Sequence, residues 1–462
     1  MMRRLASFAA AAGGTLHGAD APFAEVVIDS RRLAAGDLFV ALRGAHADGH
    51  DFVGAAAAAG AAGALVARRV AAPLPQVVVP DVEAALTAAA RAWRAAYAGT
   101  VIGVAGSNGK TTTKEMLAAI LARAGTVLAT RGNLNNQLGV PLTLLRLAPE
   151  QRFAVIEVGA NHPGEVAALA GLARPHIGLV TNAGAEHLEG FGSIEGVARS
   201  EGEMFAALDA TGTAVVNADD AYAALWCGMT PARIVTFGFA AGADVRAEGL
   251  TADVDTRGFV TRFELVAPRG RCRVELALAG RHNVQNALGA AAAALAAGVS
   301  LEAVAAGLGA MRAVGGRLQF KLTRAGAWLI DDSYNANPSS VRAGIDVLAA
   351  LPGRRWLVLG DMAELGGFAA DSHREVGRYA RAHGVERLYA HGPLAALAAS
   401  EFGAGAQCFE SAEPLTRALA AELAPDVRLL VKGSRVNRLD RVVAALTDNN
   451  SAAEVPQARQ AG

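Results

Sequence analysis

The densest chemistry in this chain is Gly106-Ser107-Asn108-Gly109-Lys110-Thr111-Thr112, a glycine-rich turn running straight into a lysine and two threonines. The apolar run Val101 to Ala105 before it reads as a strand, and Lys110 onward reads as the opening of a helix. There, backbone N–H groups and a helix N-terminus can surround phosphates, with Lys110 reaching the outer two and Thr111 ligating Mg²⁺. The strict pattern needs glycine at 104, where this chain has Val104, so the loop is the shorter G-x-x-G-K-T form. Such a loop predicts a nucleoside triphosphate but leaves open what is done with it.

Other residues sit where chemistry is expected. Glu157 closes the apolar run from Phe153, and a carboxylate at the end of a buried strand is costly unless it meets a cation. His187 follows the run Ile177 to Thr181 and reads as a metal or phosphate contact. Ligands gather at the carboxyl ends of strands in open α/β sheets, so both positions suit one shared site. Asn283 and Asn286, three apart on a helix opened by Gly280-Arg281-His282, can turn their amides the same way. Asp29-Ser30-Arg31 and Asp48-Gly49-His50-Asp51 combine short donors, a cation and a flexible glycine, which suits either a diphosphate and a uracil edge or ordinary Asx turns. The only lysines are Lys110, Lys114, Lys321 and Lys432, leaving 39 of the 43 basic residues as arginine. Codon bias accounts for the arginines; a lysine that persists against it is a candidate for a role needing a compact ammonium.

The elements that must position these groups fall into three α/β units. At 462 residues the chain exceeds one hydrophobic core. Residues 1–98 hold short β-rich runs, 25–28, 37–41, 64–67 and 76–79, then an alanine-rich helix over 84–98. Residues 99–316 alternate apolar runs at 101–105, 153–158, 177–181 and 214–217 with helical stretches, a pattern of parallel βαβ units. A second such series fills 317–447, with strands at 327–331, 356–360, 387–390 and 428–432, and the aperiodic polar stretch 448–462 reads as a disordered tail. Residues 1–10 faintly resemble a secretion signal but read as a first helix. Basic and acidic residues balance at 43 each, which gives no reason to expect nucleic acid or an anionic membrane as partner. No apolar run is long enough to span a membrane, and three scattered cysteines fit a reducing compartment, so a cytoplasmic monomer acting on small molecules is expected.

The loop Gly106 to Glu115 resembles the ATP loop of the Mur ligases, which build the peptide of bacterial cell-wall precursors. Further stretches are similar to the family member that joins D-alanyl-D-alanine to UDP-N-acetylmuramoyl-tripeptide. They are Gly132-Asn133-Leu134-Asn135-Asn136-Gln137, Glu157 to Glu165, Asn182-Ala183-Gly184-Ala185-Glu186-His187, Gly280 to Ala287, Asp331-Asp332-Ser333-Tyr334-Asn335-Ala336-Asn337-Pro338, Leu359 to Gly366 and Val431-Lys432-Gly433-Ser434-Arg435. The resemblance implies a UDP-sugar-peptide domain, a central phosphate-loop ATPase-like domain and a C-terminal Rossmann-like domain. It implies an ATP- and Mg²⁺-dependent peptide ligase, with Thr111, Glu157 and His187 toward the metal and Asn286, Arg317 and Asp332 toward ATP. Ser30, Arg31, Asp48, Gly49 and His50 would hold the UDP substrate, joined by Asn135 and Asn136. Asn335, Asn337, Lys432, Ser434 and Arg435 are candidates for D-alanyl-D-alanine, although Arg435 equally fits a salt bridge or a solvated face. One departure stands out. The family carries a carbamylated lysine where this chain has Glu201, and no other lysine lies between Lys114 and Lys321. Glu201 then either supplies an oxygen ligand directly or is a helix-surface residue beside a weakened metal site. A sibling ligase adding a single amino acid, or a nucleotide-binding regulator, is the alternative reading.

Overall fold

The computed structural model describes residues 3–44, 46–255 and 258–447, so the stretch 448–462 lies outside the described residues. Among these residues the strands form three sheets of five, nine and six strands. The first sheet runs Thr15–His17, Gln76–Val78, Gly63–Val66, Leu38–Val40, Val26–Val27. Only Thr15–His17, too short to stand out in the sequence, is antiparallel to its neighbour. The expected first helix forms at Leu5–Ala12 and buries Leu5 and Phe8.

The second sheet is parallel through Val127–Ala129, Phe153–Glu157, Thr100–Ala105, Ile177–Val180, Thr213–Asn217 and Arg233–Gly238. Its inner strands are buried on both faces, which is why they read as continuous apolar runs. The parallel order changes beyond that point. Val245–Asp255 joins parallel, but Gly258–Ala267 and Gly270–Leu276 follow antiparallel. The alternation of buried Phe259, Thr261, Phe263 and Leu265 with more exposed neighbours marks one of these as a strand covered on one side.

The third sheet, Gln319–Leu322, Trp328–Asp332, Val427–Lys432, Arg354–Gly360, Arg387–His391, Ala406–Phe409, is parallel apart from its first strand. Helices pack against these sheets, giving a three-domain α/β architecture.

The two seams between domains differ. The helix Val82–Ala95, capped by Asp81, carries Leu86, Ala89 and Trp93 into one apolar cluster that also holds Leu5 and Phe8 of the first domain and Leu144, Leu169 and Ala173 of the second. Buried Arg94 locks this seam, donating to the carbonyls of Ala173 (2.6 Å) and Arg174 (2.6 Å) at the end of the helix Glu165–Ala173. Between the second and third domains, apolar contact includes Phe259 against Phe320, ring centroids 5.8 Å apart; elsewhere a polar cleft separates them.

Candidate functional site

That cleft, about 930 Å³, opens at the carboxyl ends of the central strands and is walled on the far side by the third domain. The phosphate loop forms its floor. Gly106 has φ +120°, and a Cβ there would lie 2.2 Å from Thr181 Oγ1; Gly109 has φ +84°, and a Cβ there would lie 2.3 Å from Asn286 Oδ1. Both positions therefore demand glycine, one to turn the chain and one to let Asn286 approach. Asn182 braces the turn, its carbonyl accepting from Ser107 N–H (2.9 Å) and its Oδ1 from Asn108 N–H (3.0 Å). Lys110 Nζ folds back onto the carbonyls of Gly106 (2.5 Å) and Ser107 (3.1 Å), with Glu186 Oε2 at 3.6 Å. Burial pulls the Lys110 ammonium down, but Glu186, Glu201 and Glu157 together hold it above its ordinary value.

Thr111, at the start of the helix Lys110–Leu121, donates Oγ1 to Glu157 Oε1 (3.1 Å), and Arg317 from the opposite wall donates to the same Oγ1 (3.1 Å). Asn135 Nδ2 also donates to Glu157 Oε1 (2.9 Å). The second oxygen, Oε2, is buried with no hydrogen-bond partner. Among the described residues no three His, Cys, Asp or Glu side chains converge as a ready metal cluster. One orphaned carboxylate oxygen beside a threonine hydroxyl fits Mg²⁺, which keeps waters and phosphate oxygens for the rest of its shell.

His187, at φ +49°, spans the cleft: Nδ1 lies 2.7 Å from Glu364 Oε2 of the third domain and Nε2 lies 3.4 Å from Glu186 Oε1. Burial lowers this imidazole, yet the two carboxylates raise it above its usual value. Glu364 is itself in the left-handed region, at φ +64°. Glu201 is buried behind the loop, not in the cleft, where Oε2 accepts the Gly106 N–H at 2.7 Å. Burial pushes its carboxyl up to about 7, against the pull of Lys110. The surface-helix alternative for Glu201 does not hold, because this side chain props the phosphate turn.

Asn286 Nδ2 donates to Asn283 Oδ1 (3.2 Å) and Asn283 Nδ2 donates to the Ala279 carbonyl (2.7 Å), so both amides are oriented beside the loop. On the far wall Asp332 receives Lys432 Nζ at 2.6 Å and Leu318 N–H at 3.2 Å; burial nevertheless raises its carboxyl above the ordinary range. Lys432 also donates to the Asn335 carbonyl (3.0 Å). Asn337 caps the helix Pro338–Ala349 through Oδ1 and donates Nδ2 to Asn108 Oδ1 (2.8 Å), while Asn108 Nδ2 donates to Ser339 Oγ (3.0 Å). Ser434 Oγ donates to the Ala336 carbonyl (3.2 Å), and Arg435, largely exposed, lies 3.6 Å from Asp440.

The cleft thus gathers Ser107 to Thr112, Glu157, His187, Asn286, Arg317 and Asp332, together with Asn135, Asn136, Asn335, Asn337, Lys432, Ser434 and Arg435. It does not gather Gly106, Glu201 or the five first-domain residues. Of those, Asp48 caps a short 3₁₀ turn through His50 N–H, and buried His50 has both ring nitrogens engaged, by Asp48 (2.6 Å) and by the Ala67 N–H (2.8 Å). Arg31 pairs with Asp29 on the surface, and Ser30 opens the 3₁₀ turn that Asp29 caps. Gly49 backs onto Leu42, whose carbonyl a Cβ would meet at 2.5 Å. Sequence reading missed Glu186 and Glu364 as site residues, although each sits inside a motif singled out there, and it missed Tyr334, whose ring carries the Arg317 guanidinium at 4.3 Å.

Comparison with known proteins gives three domain matches in order: the Mur ligase family, catalytic domain over 22–94, the Mur ligase middle domain over 104–294 and the Mur ligase, glutamate ligase domain over 316–435. The UDP-N-acetylmuramoyl-tripeptide--D-alanyl-D-alanine ligase of Escherichia coli K12 is 43% identical over 440 residues, covering 95% of this chain and 97% of its own. The enzyme of the same name from Mycobacterium tuberculosis H37Rv is 38% identical over 93% of each chain. Among solved structures, MurF from Acinetobacter baumannii superposes with a TM-score of 0.87 at 36% identity, covering 96% of this chain and 98% of its own. MurF from Thermotoga maritima in complex with ADP gives 0.78 at 26% identity, with 91% and 96% covered.

Proposed function

The chain belongs to the Mur ligase family, and from that premise we infer the reaction its cleft carries out. It is an ATP-dependent ligase that joins D-alanyl-D-alanine to UDP-N-acetylmuramoyl-tripeptide in peptidoglycan synthesis. The observation that carries this reading is the meeting, in one cleft, of a phosphate loop from the central domain with Arg317, Asp332 and Asn337 from the third.

The terminal carboxylate of the tripeptide attacks the γ-phosphorus of ATP; the bond to ADP breaks and an acyl phosphate forms. The amine of D-alanyl-D-alanine attacks that acyl carbon, phosphate leaves with its bonding pair, a proton is lost from nitrogen, and an amide remains. We assign Lys110 to the outer phosphates: its present contacts are backbone carbonyls, which a phosphate oxygen can replace at small positional cost. Arg317 reaches the same place from the third domain. Both act where charge spreads during phosphoryl transfer, in a cleft that closure makes drier. Thr111 and Glu157 would hold Mg²⁺, which supplies charge neutralisation on the phosphates when bound. His187 faces only carboxylates here, and we assign it to phosphate rather than to the hard metal ion. Asn286 is assigned to adenine, residues 1–98 to the UDP-linked substrate, and 317–447 to the dipeptide. Enzymes making a cytoplasmic nucleotide-linked precursor work in the cytoplasm, and among the described residues no helix is long and apolar enough to cross a membrane.

The test is ADP release by the purified chain. It should require UDP-N-acetylmuramoyl-tripeptide and D-alanyl-D-alanine together; release with a single amino acid in place of the dipeptide, or none with both substrates, overturns the reading.

A further inference from the structure

In a chain that otherwise uses arginine, each of the four lysines is paired with a carboxylate: Lys110 with Glu186, Lys321 with Asp331, Lys432 with Asp332, and Lys114 with Glu115 (2.8 Å) and Glu157 (3.7 Å). Lys114 is the one whose side chain is wholly buried, at 0% exposure. It lies one turn beyond Lys110 on the same helix, and its Nζ donates to the carbonyls of Thr130 (2.7 Å) and Gly132 (3.3 Å).

Two consequences follow from this geometry. Those carbonyls begin the segment that brings Asn135 to the cleft, and Thr130 Oγ1 accepts the Glu157 N–H (3.0 Å), so one ammonium ties the phosphate helix to both Asn135 and Glu157. At 3.7 Å from Glu157 Oε2, Nζ is near enough to balance the buried charge but too far to hydrogen-bond. Oε2 is therefore compensated while its lone pairs stay unused. An arginine would behave differently, because its longer planar fork reaches a carboxylate with two N–H donors and would occupy that oxygen.

We propose that Lys114 is a positioning residue that keeps Glu157 oriented, with its Oε2 free of hydrogen-bond donors for a divalent cation, and that this requires lysine rather than arginine. The proposal rests on the assignment of Glu157 to Mg²⁺. The experiment measures the Kd of a fluorescent ADP analogue in EDTA and in saturating Mg²⁺ for wild type, K114R, K114M and E157Q. The gain in affinity on adding Mg²⁺ should shrink roughly 10- to 100-fold in K114R, with the EDTA value unchanged, and K114R should add nothing on an E157Q background. A full Mg²⁺ gain in E157Q removes the underlying assignment. A reduced gain in E157Q with a full gain in K114R overturns the role of Lys114 alone. Where K114M melts below wild type, K114M with E157Q must melt higher than K114M, since removing the stranded carboxylate relieves the defect; no difference between them sinks the proposal.

Discussion

Gly109→Ala separates two costs that the structure places at one atom. At φ +84° an alanine enters the left-handed region, which costs roughly 1–2 kcal/mol in the folded chain whether or not nucleotide is present. Within a cooperative unit the size of the central domain that lowers Tm by roughly 2–8 °C. The new Cβ would also stand 2.3 Å from Asn286 Oδ1, so that amide has to retreat by roughly 1 Å to reach ordinary contact. It would then leave the orientation given by Asn283. Losing one hydrogen bond to adenine is worth about 0.5–1.5 kcal/mol, or about 2- to 13-fold in the Kd of ADP. Calorimetric titration of wild type, G109A, N286A and the double variant tests the reasoning. The melting loss should survive in the double variant while its Kd is no weaker than that of N286A alone. If the two substitutions multiply in Kd, the added methyl acts on the phosphates and the account of Asn286 is wrong.

Lys110→Met should cut phosphate release by about 10²- to 10³-fold and leave Glu186 facing His187 alone within 4 Å; retention of near-normal turnover would remove Lys110 from the chemistry. Because Glu201 is committed to the Gly106 N–H and no lysine lies between Lys114 and Lys321, activity in buffers stripped of bicarbonate should equal activity after its restoration, and strong dependence on CO₂ would refute this. His282 is held down to about 4, by burial first and then by repulsion from Lys432. The unfolded chain takes up that proton near 6.5, so the stabilisation is complete above that pH and is lost as pH falls from about 6.5 toward 4. His282→Asn should therefore show a smaller fall in Tm than wild type between about pH 7.5 and about pH 5, and parallel falls would dismiss the imidazole as the cause.

Local signals were legible where one stretch of chain does one job. The phosphate loop announced itself because strand, turn and helix are contiguous, and Glu157 because a carboxylate ending a buried strand has to meet something. What it meets was not legible. Lys114 and Glu157 are brought together by strand order, not by spacing. The first-domain motifs read both ways in the sequence, as ligand donors or Asx turns, and the fold shows Asp29 and Asp48 as caps of short turns. The strands from Gly258 to Leu276 were hidden by an expectation of strand–helix alternation, although the in-out pattern of Phe259 to Leu265 carried the signal. Glu364 was overlooked because it meets His187 only across a gap between domains, and Glu186 because it meets Lys110 only once the fold brings two distant loops together.

The contrast between the two seams sets what it costs to part each of them. Domains one and two share a single apolar cluster clamped by Arg94, so displacing one against the other would tear a core. The third domain meets the second through apolar contact on one side, where Phe259 and Ala279 join the third domain's own cluster, and through exchangeable polar links, Asn108 with Asn337 and His187 with Glu364, on the other. Parting this second seam on its polar side exchanges those links for water, whereas parting the first exposes apolar surface.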